Sequence, residues 1–327
     1  MPTINHGQIK KNAEFLKNLP DNGSGLNFYS FQKEGREIIA SDMYPPLNHP
    51  QSINFFFFVC MHQFGFWYGD ERGYVEPLFG TVNGKKNKGS DLLWKAAMRA
   101  FNEDVECFEP KKLAIIRPHD LARKIFSDDN GPVTFPDFET RFQLTRAYGL
   151  WFQKASSKNP QELVRFSNCS KNSLAKFLEL MREVPGYNED ELQKKNLLLA
   201  MALANRPEKW LEIKDPQNWR PIIDYHLMRL ALRQGLVDLD DKEGEQNEAR
   251  KWTDLTTEAS IRQSVYEAME TIIKESGKPM SFVDENYWNG RRYCPEIETP
   301  DCQSCLFNSV CKKRIELFQP IRRTTAY

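Results

Sequence analysis

Four of the chain's seven cysteines lie between Cys294 and Cys311, spaced Cys294-x7-Cys302-x2-Cys305-x5-Cys311. What such a cluster does depends on its redox surroundings. The first twenty residues, MPTINHGQIKKNAEFLKNLP, hold no apolar stretch of the kind that opens a secreted chain. The longest apolar run, Phe55 to Met61, is far too short to span a bilayer. A soluble cytoplasmic protein with no membrane partner is therefore expected. Thiols there stay reduced, so a tight cluster reads as a metal or cluster site rather than a disulfide framework. Four thiolates can surround a tetrahedral Zn²⁺ or a [4Fe–4S] cubane. A zinc ribbon usually joins two C-x2-C knuckles, and only Cys302 and Cys305 form one here. That favours iron–sulfur, with zinc as the alternative. The isolated Cys60, Cys107 and Cys169 are expected to sit in the core.

The 327 residues are enough for two lobes that need no covalent staples. Helical spacing dominates: QIKKNAEFLKN up to a stop at Asn22-Gly23, SDLLWKAAMRAF capped by Ser90, PHDLARKIF, KNSLAKFLELMREV and TEASIRQSVYEAMETIIKESG. The best strand candidate is KKLAII, Lys111 to Ile116. Breaks are expected in the Pro/Asn-rich stretch Tyr44 to Pro50 and in the acidic linker Asp238 to Arg250. Lys+Arg and Asp+Glu balance at 45 each, which argues against a protein that coats polyanions indiscriminately. Cations are nevertheless concentrated locally at Lys85, Lys86, Lys88, Lys95 and Arg99, and again at Arg291, Arg292, Lys312 and Lys313.

The end of the chain resembles the iron–sulfur loop of helix-hairpin-helix DNA glycosylases of the endonuclease III type. Trp288 and Gly290-Arg291-Arg292-Tyr293 lead into Cys294, and the first gap is one residue longer than in that family. The resemblance implies a mainly α, two-lobed helix-hairpin-helix DNA glycosylase-like fold with a C-terminal iron–sulfur cluster loop. It implies a structural cluster on Cys294, Cys302, Cys305 and Cys311, with Arg291, Arg292, Lys312 and Lys313 as contacts to a DNA backbone. Residues 51–215 would form one helical domain, and residues 1–50 with 216–327 a second that carries the catalytic helix and the cysteine loop.

In Pro221 to Val237, PIIDYHLMRLALRQGLV, Asp224 precedes a helix whose Leu227, Leu230 and Ala231 share a face, with Gly235 at its end. On the residues alone Asp224 is an N-cap. Ile223 to Leu230 also resembles the glycosylase segment that carries the catalytic aspartate, which implies that Asp224 is both cap and catalyst. A helix N-terminus favours a carboxylate, and glycosidic cleavage builds positive charge on the sugar that a fixed anion stabilises. The family's hairpin has a counterpart in Val184-Pro185-Gly186, where the second glycine is absent and Gly186 would approach a phosphate. Lys195, 29 residues before Asp224, lies close to the wider spacing seen in archaeal 8-oxoguanine glycosylases, which KKNLLLAMAL also resembles. Buried, it would attack the sugar carbon and form a Schiff base; on an amphipathic helix it would face solvent. Asp224 acting with water, in a monofunctional enzyme, is the expected chemistry.

SINFFFFVCMHQFGFW, Ser52 to Trp67, resembles the family's early helix, which implies that Gln63 enters the duplex or touches the base. Phe64, Phe66 and Trp67 are candidates to stack on an extruded base, whereas Phe55 to Phe58 belong to the core. This segment and Gly89 to Ala100 are also similar to queuosine-salvage nucleoside glycosidases, which lack the cysteine loop. The backbone of a duplex would further meet Lys85, Lys86 and Lys88. The expectation is thus a monomeric DNA N-glycosylase acting on double-stranded DNA with a flipped modified or damaged base, such as the hypermodified bases of phage DNA. The alternatives are a queuosine-type nucleoside or nucleotide N-glycosidase and a noncatalytic nucleic-acid binder on the same scaffold.

Overall fold

The computed structural model describes residues 1–20, 26–33 and 37–327. The fold is mainly α, with short two-stranded sheets among the helices. The expected stop at Asn22-Gly23 lies outside the described residues; the helix before it runs His6–Lys17. Contacts divide the chain into two units, 1–26 with 69–76 and 220–323, and 27–68 with 77–219 and 324–327.

The first unit is built on the helices His6–Lys17, Tyr225–Gln234, Asp241–Glu248, Leu255–Ser276 and Met280–Gly290. Ile9, Ala13 and Leu16 recur on one buried face of His6–Lys17, which packs on Leu255–Ser276, where Ile261, Val265, Ala268 and Ile272 are buried. Each Val, Leu or Ile among them contributes roughly 1.5–3 kcal/mol when fully buried. Asp254 caps the long helix by accepting from Thr257 N at 2.9 Å, and Gly277 ends it at φ 67°. Thr3 and Ile4 pair antiparallel with Asp238 and Val237. The acidic stretch after Asp238 is not a linker. It holds the helix Asp241–Glu248, started by a capping box between Asp240 and Glu243, and Asn247 Oδ1 accepts from Phe318 N at 2.5 Å.

The second unit wraps around Ser52–Met61, whose ten residues are all buried. A helix apolar on every side must be enclosed on every side. Lys194–Asn205, Gly89–Glu103 and Pro160–Asn168 do so, and Tyr187 ties in by donating its hydroxyl to Phe57 O. Phe55 to Phe58 are fully buried, as the sequence implies. The Pro-rich stretch at 44–50 is not a boundary. It is docked by the buried Arg206, which donates to Phe28 O at 2.8 Å and Pro45 O at 3.1 Å. Cations Lys85, Lys86 and Lys88 lie on the second strand of a hairpin, Phe79–Val82 with Lys85–Lys88, turned by Asn83-Gly84 with both φ positive.

Three local expectations are corrected. The predicted strand at 111–116 begins instead inside a short helix, Pro110–Leu113, that lies flush against Phe138–Lys154. Gly149 permits this approach, since a Cβ there would stand 2.4 Å from Ala114 N. Ser90 does not cap its helix: Gly89–Glu103 is preceded by Lys88, with no side-chain cap bond. Cys60 and Cys107 are buried as expected, but Cys169 is exposed at the end of Pro160–Asn168.

Candidate functional site

In the first unit, Asp224 is the N-cap of Tyr225–Gln234, and Gly235 closes the helix at φ 74°. Its Oδ1 accepts from His226 N at 2.9 Å and Leu227 N at 3.1 Å. Both bonds land on one oxygen. The residue is 5% exposed. Arg262 secures the chain just before it, donating twice to Ile223 O at 3.2 and 3.0 Å.

The same helix carries the arginines that hold the cysteine loop. Arg229 Nε donates to Cys294 O at 3.1 Å and its Nη1 to Gln319 Oε1 at 3.0 Å. Arg233 Nη1 donates to Cys294 Sγ at 3.2 Å and Pro295 O at 2.9 Å, and its Nε to Leu317 O at 2.6 Å. Lys312 N and Arg314 N return bonds to Gln234 O and Arg233 O. Around Arg229, His226 Nδ1 lies 3.1 Å from Nη2 and 3.7 Å from Glu296 Oε1. Burial, then the charge of Glu296, pushes the Tyr225 and Tyr74 hydroxyls up.

Cys294, Cys302, Cys305 and Cys311 line one small cavity with Leu230, Arg233 and Phe307. Lys313 N donates to Cys311 Sγ at 3.2 Å. Burial raises the Cys305 and Cys311 thiols, Cys311 to about 11, and the neighbouring cysteines add to both shifts. Among the described residues no three His, Cys, Asp or Glu side chains gather closely enough to hold a metal ion. The donor set, four sulfurs with two N–H groups aimed at them, has the chemistry of a thiolate cluster site. Of the loop's cations, Arg292, Lys312 and Lys313 are exposed, while Arg291 lies 3.7 Å over the Trp288 ring and Lys312 stands 4.0 Å from Asp238.

In the second unit, Lys195 does not face solvent. It is fully buried, with Nζ 3.3 Å from Glu189 Oε2 and 5.2 Å from the Phe64 ring centroid. Burial drives its amine down to about 8 against the opposing pull of Glu189. Glu189 also accepts from Gly186 N at 2.9 Å, so the hairpin amide expected to meet a phosphate meets this carboxylate. Gly186 has φ 88°, and the second helix begins only at Lys194. Gln63, Phe64, Phe66 and Trp67 follow Ser52–Met61 and are all buried.

Sequence reasoning passed over Arg141, the residue that sets this segment. Fully buried, it donates to Pro136 O at 3.0 Å, His62 O at 2.8 Å and Phe64 O, with its guanidinium 4.1 Å over the Phe64 ring. Burial lowers it to about 9. Nothing local marks it, because its acceptors lie far back along the chain. Lys194, also missed, donates to Gln63 O at 2.9 Å.

Residues 43–200 match the family described as queuosine salvage protein. The match covers a little under half of the chain and takes in Gln63, Phe64, Phe66, Trp67, Gly186 and Lys195, but neither Asp224 nor the cysteine loop. No curated protein matches the chain. The similarity bears on the glycosidase-type alternative rather than on DNA repair.

Proposed function

We propose that the chain is an N-glycosidase that cleaves the C1′–N bond of a queuosine-type nucleoside or nucleotide. The observation that carries this reading is the match of residues 43–200 to queuosine salvage proteins. Asp224 is the proposed catalytic residue. As the bond breaks, its electron pair leaves with the base, which takes up a proton, and positive charge grows on the sugar. The Asp224 carboxylate stabilises that charge and accepts a proton from the water that adds at C1′. The reaction consumes one water and is monofunctional. Lys195, paired with Glu189, is assigned to shaping its surroundings rather than to attack on the sugar.

Cys294, Cys302, Cys305 and Cys311 are proposed to hold a [4Fe–4S] cluster. Bound there, it would act as a structural cross-link and take no part in bond cleavage. What supports this reading is that all four cysteines line one cavity. In this reading the loop braces the helix that presents Asp224, through Arg229 and Arg233. That gives the loop a purpose without a duplex.

A second reading, a DNA N-glycosylase that releases a modified base, is favoured by the exposed Lys85, Lys86, Arg292 and Lys313. Incubation with queuosine, its 5′-monophosphate and genomic DNAs carrying modified bases, followed by mass spectrometry of released bases, separates the two. Free base from the nucleoside or nucleotide is expected. Release from DNA alone would favour the second reading, and release from none would leave a noncatalytic binder.

A further inference from the structure

Two side-chain amides line the cavity of the four cysteines: Gln234, the last residue of Tyr225–Gln234, and Asn308, in the loop between Cys305 and Cys311. Each has a buried oxygen with no hydrogen-bond partner, Gln234 Oε1 and Asn308 Oδ1. Gln234 is only 3% exposed. A buried amide oxygen without a donor is costly and uncommon in a native fold, and here two of them fall on the wall of one cavity.

The backbone fixes both residues in that wall. Gln234 O accepts from Lys312 N at 3.3 Å, and Asn308 N donates to Cys305 O at 3.0 Å. Gly235 allows the first of these contacts: at φ 74°, a Cβ there would stand 2.4 Å from Lys312 Cδ. The groups that meet the cysteine sulfurs are both donors, Arg233 Nη1 to Cys294 Sγ and Lys313 N to Cys311 Sγ, each at 3.2 Å. Thiolates and the sulfides of a cluster accept hydrogen bonds and cannot give them, so an amide oxygen on this wall would set acceptor against acceptor. A half-turn about the last side-chain bond exchanges the amide's oxygen and nitrogen with almost no change of shape.

We propose that Gln234 and Asn308 turn their NH2 groups to the sulfurs of the bound cluster and complete the donor shell that Arg233 and the Lys313 N–H begin. The inference rests on the proposed [4Fe–4S] assignment and does not depend on the substrate. Hydrogen bonds to the sulfurs draw off negative charge, so they favour the reduced cluster and raise its reduction potential. An amide oxygen in the same place would lower it. The sign of the change on removing each amide therefore tells which end faces the cluster.

The test is voltammetry of the iron-loaded wild type, Gln234→Met and Asn308→Leu, with iron content, the visible absorption band and melting curves measured beside it. Both substitutions keep the size of the side chain and remove the amide. Each should shift the equilibrium away from the reduced cluster by up to about tenfold, which for one electron lowers the potential by about 59 mV. An unchanged or raised potential in either variant overturns the shell as proposed and leaves the cluster standing. If a variant fails to fold or to hold iron, the wild-type chain decides: with ¹⁵N in its glutamine and asparagine side-chain amides, pulsed paramagnetic resonance of the reduced cluster should show coupling to that nitrogen, and its absence overturns the inference. A wild-type chain that takes up zinc and no iron overturns the cluster assignment and the inference with it.

Discussion

The two units bury ionisable groups in opposite ways. In the second, Lys195 lies wholly inside, against the Phe64 ring and a partly exposed Glu189, and burial outweighs that carboxylate enough to bring the amine down to about 8. In the first, Asp224 sits at a helix N-terminus whose backbone N–H groups meet its Oδ1 directly. The first arrangement works against the charge it holds, while the second gives the carboxylate backbone donors. A chain that uses an anion for bond cleavage gains from the second arrangement. The first is a local cost that the rest of its unit must offset.

That contrast can be broken in four ways, taken from the largest expected effect down. With the proposed cluster bound, Cys302→Ser or chelation of its iron should cost the first unit at least about 3 kcal/mol. Hydrogen exchange should then rise in the Tyr225–Gln234 helix and stay unchanged in Ser52–Met61. Uniform loosening would contradict a brace confined to the Asp224 helix.

Arg141→Met should destabilise the second unit by about 3 kcal/mol, because it leaves the carbonyls of His62, Phe64 and Pro136 without their donor. Urea unfolding measures this, and a loss under about 1 kcal/mol would show that those carbonyls find other partners.

Lys195→Met should stabilise the fold at pH 7 by about 1–3 kcal/mol, since it removes a buried ammonium. Lys195 titrates near 8 in the folded chain against an ordinary 10.5. Between these values the unfolded chain holds more protons, so wild-type stability climbs with pH. The cost of the ammonium is fully present below about 8 and is relieved towards 10.5. The advantage of Lys195→Met should therefore be largest at neutral pH and shrink as pH rises; an advantage that does not change with pH would mean that packing, not charge, is responsible.

Smallest of all, Lys85→Ala with Lys86→Ala should change stability by no more than about 0.5 kcal/mol and leave queuosine cleavage at the wild-type rate. A large loss of cleavage would show that the hairpin lysines contribute to the site.

Legibility in the sequence followed how local each cause was. Asp224, the helix after it and Gly235 could be read from the chain because a cap, an apolar face and a left-handed stop all fall within a dozen residues. The run Phe55 to Phe58 could be read because nothing so apolar can stay at a surface. Lys111 to Ile116 misled for the converse reason: its β-like composition yields to the helix-favouring Pro110 and to the room that Gly149 leaves far along the chain. Arg141, Lys194 and Ser90 take their roles from distant partners in His62 to Phe64, which no local pattern encodes. The acidic run after Asp238 has the composition of a linker, yet Asp240 and Glu243 form a capping box that starts a helix within it.

The most direct test of the central claim places wild type, Asp224→Asn and Lys195→Met side by side on queuosine and follows the released base by mass spectrometry. Wild type and Lys195→Met should release it at similar rates, while Asp224→Asn slows by about 10³-fold with an unchanged melting curve. Release by Asp224→Asn at the wild-type rate would contradict the account, as would a silent but folded Lys195→Met.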